Sequence, residues 1–201
     1  MDRIPNSQNK QWLLENIEVG DVGVVRRKFR RKDYFPLNFL KYTVSRSIQR
    51  STDGWANHVF GVYDIVAGRK VCIVEALGLG VGIHSIDKYL DPDKYDLEFY
   101  RIPEGLSEPS KQSFQNNALL QVDDYYDLWR LVKIRWQMRI HGARGFSEIA
   151  RTADHSQWIC SQLIAFLFAV LPTPFVVAAY DFIYPSDYRT CNLTRVDKPT
   201  L

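Results

Sequence analysis

Cysteine is scarce in this chain. Three thiols in 201 residues, Cys72, Cys160 and Cys191, form an odd and widely spaced set. That excludes the disulfide framework on which small secreted domains rely. No two of them make a CxxC pair, and no His/Cys cluster has zinc-ligand spacing, so neither a metal nor a cofactor is expected. A charge excess is missing too. The 26 Lys and Arg against 23 Asp and Glu leave a net charge of +3, too little to demand a nucleic-acid partner. There is no internal repeat and no low-complexity tract. The opening MDRIPNSQNKQW lacks the apolar stretch of a signal peptide. One apolar run, 159–180, is long enough to span a bilayer, but Pro172 and Pro174 interrupt it and Ser161 and Gln162 lie within it. It reads as a core helix, a Pro-Thr-Pro turn and a strand at 175–180. The expectation is a soluble, cytoplasmic protein of a reducing compartment that is not integral to a membrane.

What is present supports one well-filled domain. The chain is 46% hydrophobic, with 11 Tyr, 11 Phe and 5 Trp, enough to build a core and exclude global disorder. QNKQWLLENI (8–17) fits a short amphipathic helix. VGDVGVVRRKF then gives a Gly-Asp turn running into a strand at 22–29. Within it begins a basic run, with Arg26, Arg27, Lys28, Arg30, Arg31 and Lys32. These residues either solvate a strand end or touch an anionic surface. Residues 36–50 fit a helix or a long loop. NHVFGVYDI (57–65) and RKVCIVEAL (69–77) are rich in β-branched and aromatic residues on either side of Ala67-Gly68, the pattern of an antiparallel hairpin. A strand at 81–86, a short helix at 86–90 and a strand at 95–102 follow. Residues 103–118 have linker composition and lead into a helical segment at 112–140. Its aromatic stripe, Tyr125, Tyr126, Trp129 and Trp136, reads as core packing. A helical insertion is thus expected at about 104–150.

The residue that invites chemistry is Cys160, in HSQWICSQLIAF. With Asp154 or Ser156 as the N-cap, it falls one to two turns into the helix, where backbone N–H groups favour an anion. Considered alone, it is equally a small buried hydrophobe on a helix that buries Leu163, Ile164 and Leu167. A thiolate nucleophile needs a base, and the base needs an orienting partner. Of the four histidines, His155 precedes Cys160 by five residues and so points elsewhere. His141 sits in RIHGARGF, where a cation suits a helix end. His84 lies on a strand with no polar residue evidently matched to it.

His58 differs. Alternation puts His58, Phe60 and Val62 on one face of their strand, and Val71, Ile73 and Glu75 on one face of the next. If paired residue numbers total 133, His58 faces Glu75 directly. If they total 135, the two are diagonal neighbours. Both registers leave them within about 4.5–8 Å between Cβ atoms, whereas an even total separates them onto opposite faces. The plainer alternative is a structural pair on a sheet.

The order His58, Glu75 and then Cys160 resembles the circularly permuted papain-like cysteine hydrolases, the permuted NlpC-type peptidases of the YiiX/YebB-like group. These are related to the lecithin:retinol acyltransferase-like enzymes. VGDVGVV (19–25) resembles the family's Gly-Asp turn into its first strand, and NHVFGVYD (57–64) its histidine strand. IVEALGLGVGI (73–83) resembles its glutamate strand, WICSQLIAF (158–166) its cysteine helix, and YPSDY (184–188) a late Pro-x-Asp element. Gln162 and Trp158 stand where the family has Glu and Tyr. The resemblance implies an α+β fold: a permuted papain-like arrangement, an antiparallel sheet or barrel packed on helices, with the nucleophile on a C-terminal core helix. It implies Cys160 as nucleophile, His58 as base and acid, and Glu75 as the group orienting His58. The implied reaction is acyl transfer through a thioester, on an amide such as a peptide, isopeptide or cell-wall peptide, or on an acyl ester. The rival readings are a lipid-directed acyltransferase or thioesterase at a membrane surface, acting on a lipid ester, and a non-catalytic module keeping the fold. LGLGVG (77–82) lacks dinucleotide-binding spacing. Ser161 lacks a nucleophile elbow. Asp123, Asp124 and Asp127 read as a solvated helix face.

Overall fold

A computed structural model of the chain describes residues 11, 14–28, 55–66, 70–126, 157–175 and 185–196, and the structural statements below concern those residues. Residues 11 and 14–16 are helical. The backbone then turns at Gly20, whose φ of 91° is left-handed and open chiefly to glycine. Asp21 stabilises that turn by accepting from the Glu18 backbone N–H at 2.8 Å. The guanidinium of Arg101 holds its carboxylate at 2.7 and 2.8 Å. From here strand β1 runs Val22–Arg27, matching the Gly-Asp turn and strand read from the sequence.

Strands β2 (His58–Val66), β3 (Lys70–Leu77), β4 (Gly80–Ser85) and β5 (Tyr95–Arg101) also form where β-branched and aromatic residues cluster. With a short β8 (Thr194–Arg195) they make one open, antiparallel six-stranded sheet in the order β4-β3-β2-β1-β5-β8. The hairpin turn at Ala67-Gly68 lies outside the described residues. Between β4 and β5 a 3₁₀ turn, Ile86–Tyr89, is capped by the Ser85 side chain accepting from the Asp87 N–H.

Helix α1 spans Glu108–Leu120. Ser107 caps it and a proline lies in its first turn. The linker-like composition of 103–118 therefore conceals a helix, because its core contacts come from only a few residues, Ser110, Phe114 and Ala118, on an otherwise polar surface. The helix ends at Leu120, well short of the expected 140. Tyr125–Tyr126 form instead a short strand, β6, parallel to β7 (Gln157–Trp158). A left-handed residue, Asp123 at φ 73°, lies between the helix and β6, so Asp123 and Asp124 are not on a helix face. Trp129, Trp136, Asp127 and the 175–180 strand lie outside the described residues, apart from Phe175, which is not in a strand.

Helix α2, Cys160–Ala169, is ten residues long and buries Leu163, Ile164 and Leu167 completely. Among the described residues no helix is long and apolar enough to cross a membrane. A last 3₁₀ turn covers Pro185–Arg189. The sheet is buried on both faces. One layer joins Val22, Val24, Val59 and Val74 to Phe114 of α1 and Leu163, Ile164 and Phe168 of α2. The other gathers Val25, Phe60, Val62, Ile73, Leu97 and Phe99 with Ile86 and Tyr89 of the 3₁₀ turn.

Candidate active site

The β2–β3 ladder pairs Gly61 with Val74 and Val62 with Ile73. This is the register in which paired numbers total 135, one of the two that the sequence allowed, and it makes His58 and Glu75 diagonal neighbours. The shift to a different register comes only beyond Val62, on the side away from His58. His58 Nε2 lies 2.8 Å from Glu75 Oε2. Both are buried: His58 is 9% exposed and Glu75 0%.

Cys160 is the first residue of α2. The cap is Ile159, in extended conformation and without a side-chain capping bond. The cap at Ile159 corrects the expectation that Asp154 or Ser156, which lie outside the described residues, would start the helix. The segment before Cys160 is held as strand β7, which keeps the backbone extended through Ile159. Trp158 anchors that segment by donating from Nε1 to Gln121 Oε1 at 3.1 Å and Asp124 Oδ2 at 3.0 Å. The consequence is electrostatic. Cys160 sits in the first turn, where the helix N-terminus favours negative charge most strongly, and its own N–H has no acceptor within the helix.

Cys160 is 1% exposed and lies near enough to His58 for its charge to act on the ring. Nε2 of His58 is committed to Glu75, so Nδ1 is the ring nitrogen left for the sulfur. Burial alone disfavours the imidazolium. The charge of the Cys160 thiolate, its hydrogen bond and then Glu75 outweigh that, and His58 is raised to about 9. Burial likewise opposes the Glu75 carboxylate. The bond and charge of His58, followed by Lys88 and Tyr89, bring it down to about 2.

Three partners of Glu75 escaped the sequence reading. Tyr89 donates its hydroxyl to Oε2 at 2.6 Å. Burial and then the carboxylate push its phenol far above the usual range, so it stays a donor. Lys88 Nζ donates to Oε1. His84 Nδ1 lies 3.1 Å from the same oxygen, correcting the view that this histidine has no polar match. The 3₁₀ turn after β4 brings Lys88 and Tyr89 back over the sheet, and Tyr89 stacks on Phe60 with centroids 5.3 Å apart.

The late PSDY element supports the helix rather than the chemistry. The Tyr188 hydroxyl donates to the Ser161 carbonyl at 2.7 Å. Arg189 reaches from the same turn to buried Glu98 at 2.8 Å. Within the basic run, Lys28 is occupied by Asp96 at 2.7 Å and the Pro92 carbonyl at 2.7 Å. Arg26 is exposed, and Arg30, Arg31 and Lys32 lie outside the described residues.

No known family model and no curated protein matches the chain. By its described elements it is an α+β protein with an open, six-stranded antiparallel sheet and, among the described residues, few helices. Among solved structures it is similar to the crystal structure of metalloprotein yiiX from Escherichia coli O157:H7, a DUF1105 protein. The two are 15% identical, the match covers 90% of this chain and 97% of that one, and the TM-score is 0.56. The chain has a YiiX-like fold.

Proposed function

We propose that the protein is a cysteine-dependent hydrolase with Cys160 as nucleophile, His58 as general base and acid, and Glu75 as the group that holds His58. The observation that carries this reading is the chain of contacts from Cys160 to His58 to Glu75, built at a helix start and a sheet with every member buried. The Cys160 thiolate attacks a carbonyl carbon. A C–S bond forms and the carbonyl electron pair moves to oxygen, which the Cys160 backbone N–H is placed to receive. Collapse expels the amine or alcohol, which takes the proton from His58 Nδ1 and leaves a thioester. Water then gives a proton to His58 and attacks the thioester carbonyl, releasing the acid and the thiolate. The substrate class is an amide, peptide or isopeptide, or an acyl ester.

The solved neighbour is titled a metalloprotein. Here, among the described residues, no three His, Cys, Asp or Glu side chains group as metal ligands. Oε1 of Glu75 already carries the Lys88 ammonium, a like charge that a metal cation would have to displace. The donor set does not fit a metal, and no step is routed through one.

Iodoacetamide labelling followed by peptide mapping tests the reading. Cys160 should react far faster than Cys72 and Cys191, and His58→Ala should abolish that advantage while the fold persists. Equal, slow labelling of all three thiols would point to a non-catalytic module. Peptide, isopeptide and ester panels run with wild type and Cys160→Ala then assign the bond cleaved. Turnover confined to lipid esters presented on vesicles would favour the membrane-surface reading.

A further inference from the structure

We infer that Lys88 is a positioning residue that keeps Glu75 ionised while His58 passes between imidazolium and imidazole. This rests on the function proposed above. In acylation His58 gives the Nδ1 proton to the leaving group and becomes neutral, while its Nε2–H remains on Glu75. At that moment Glu75 loses the cationic character of its His58 partner yet stays fully buried. A buried carboxylate stripped of its counter-charge is costly, by more than a surface ion pair ever repays. Without a second cation, that cost would fall on the proton transfer itself, because the pair would hold the proton on His58 instead of releasing it.

Among the described residues the groups that face this pair are few. Cys160 approaches from α2, His84 from β4, and Lys88 and Tyr89 from the 3₁₀ turn. Tyr89 supplies a hydrogen bond but no charge. His84 shares Oε1 with Lys88, and its side chain is 45% exposed. Lys88 brings a second cation to Oε1, opposite the oxygen that His58 and Tyr89 share. Its side chain is 35% exposed, so the ammonium is desolvated only in part while the carboxylate it serves is desolvated completely. Lys88 therefore evens the energy of the two protonation states of His58, where a lone His–Glu pair would favour only the charged one.

The test compares wild type, Lys88→Met, Lys88→Gln, Lys88→Arg and His84→Gln in the full chain. His58 ring titration is followed by NMR and Cys160 carboxamidomethylation against pH. Removing the cation should move the His58 titration upward by about one unit, a tenfold stronger hold on the proton. Turnover should slow by about tenfold with it, while labelling of Cys160 near neutral pH stays within about twofold. Lys88→Arg should restore both values, and His84→Gln should leave the His58 titration nearly in place. If Lys88→Met fails to fold, Lys88→Gln, which keeps donors without charge, carries the decision. An unchanged His58 titration in the uncharged variants, with Cys160 still selectively labelled, overturns the role of Lys88 alone. Unselective labelling in the wild type overturns the proposed function first, and this role with it.

Discussion

His58 and Glu75 are not opposite one another on the β2–β3 ladder; they are diagonal neighbours, joined by a 2.8 Å contact between Nε2 and Oε2. The residue directly across from Glu75 on its other side is Gly82 of β4, which leaves the space beside the carboxylate to the side chains of His84, Lys88 and Tyr89. The diagonal brings Nε2 of the His58 ring to Glu75 and leaves Nδ1 off that contact. Glu75→Gln keeps a hydrogen-bonding group at that position but removes the charge. It also leaves the Lys88 cation facing a neutral amide, which further disfavours an imidazolium nearby. The His58 titration should fall, and iodoacetamide labelling of Cys160 near neutral pH should slow at least about tenfold, the effect of one unit. NMR titration and labelling rates measured on one preparation check both.

The same contacts make stability depend on pH in two windows. His58 is raised from its ordinary 6.5 to about 9. Its contribution is therefore complete below about 6.5 and is lost as pH rises through 9. Glu75 is lowered from 4.5 to about 2, so its contribution is complete above 4.5 and is lost as pH falls through 2. Burial opposes the charge on His58, and Cys160 is the largest influence that raises it. Cys160→Ala should consequently flatten the alkaline part of the Tm–pH curve and leave the acid part nearly as it was. Differential scanning measurements from pH 3 to 10 would show it, and parallel alkaline limbs for the two proteins would contradict it.

The strands and the His58–Glu75 pair were legible because they obey period-two alternation, and because an odd register total was the only condition the pair required. The expected strands at 22–29, 57–65, 69–77, 81–86 and 95–102 differ from the observed ones by at most a residue or two. The start of α2 was less legible. Asp154 and Ser156 are good capping residues, whereas Ile159 caps only because strand β7 holds the backbone extended up to it, a tertiary constraint that propensity does not carry. The partners of Glu75 were missed although a signal existed. Gly78 and Leu79 separate β3 from β4, so the hairpin pairs Leu77 with Gly80. Counting inward from that pair places Glu75 opposite Gly82 and His84 diagonally beside Glu75. Lys88 and Tyr89 carried no such signal, since they arrive through a 3₁₀ turn whose return over the sheet depends on burying Ile86 and Tyr89. The first turn of helix α1, before the helical segment expected from 112, was hidden for a related reason: few apolar residues dock the helix, and the rest of its surface has the composition of a loop.

Gly23 shows how tightly the layer behind the site is packed. A Cβ built there would lie 2.1 Å from the ring of Phe60, a fully buried residue stacked on Tyr89. Phe60 also meets Phe99 edge to face at 5.8 Å, so it cannot simply swing aside. Gly23→Ala should cost about 1–3 kcal/mol by overpacking. Because the displaced ring carries Tyr89 with it, the Glu75 contact should weaken too. Denaturant midpoints report the first effect and the His58 titration the second. Gly78→Ala, where the added methyl meets nothing within 4 Å, is the control and should leave the titration unmoved.

Tyr188 offers a way to separate support of the helix from chemistry at its tip. Its ring is fully buried, and its hydroxyl donates to the Ser161 carbonyl at 2.7 Å, one residue beyond Cys160. Burial pushes the phenol well above its ordinary value, so it remains a donor across the accessible pH range. Tyr188→Phe keeps the packing and deletes one hydrogen bond, a loss of about 1 kcal/mol. Tyr188→Ala opens a cavity as well and should cost about 3–5 kcal/mol. Neither change touches a group in the Cys160–His58–Glu75 chain, so under folding conditions the Phe variant should label at Cys160 within about threefold of wild type. A larger loss of reactivity, at an unchanged urea m-value, would mean that the tyrosine acts on the placement of the sulfur itself through the first turn of α2.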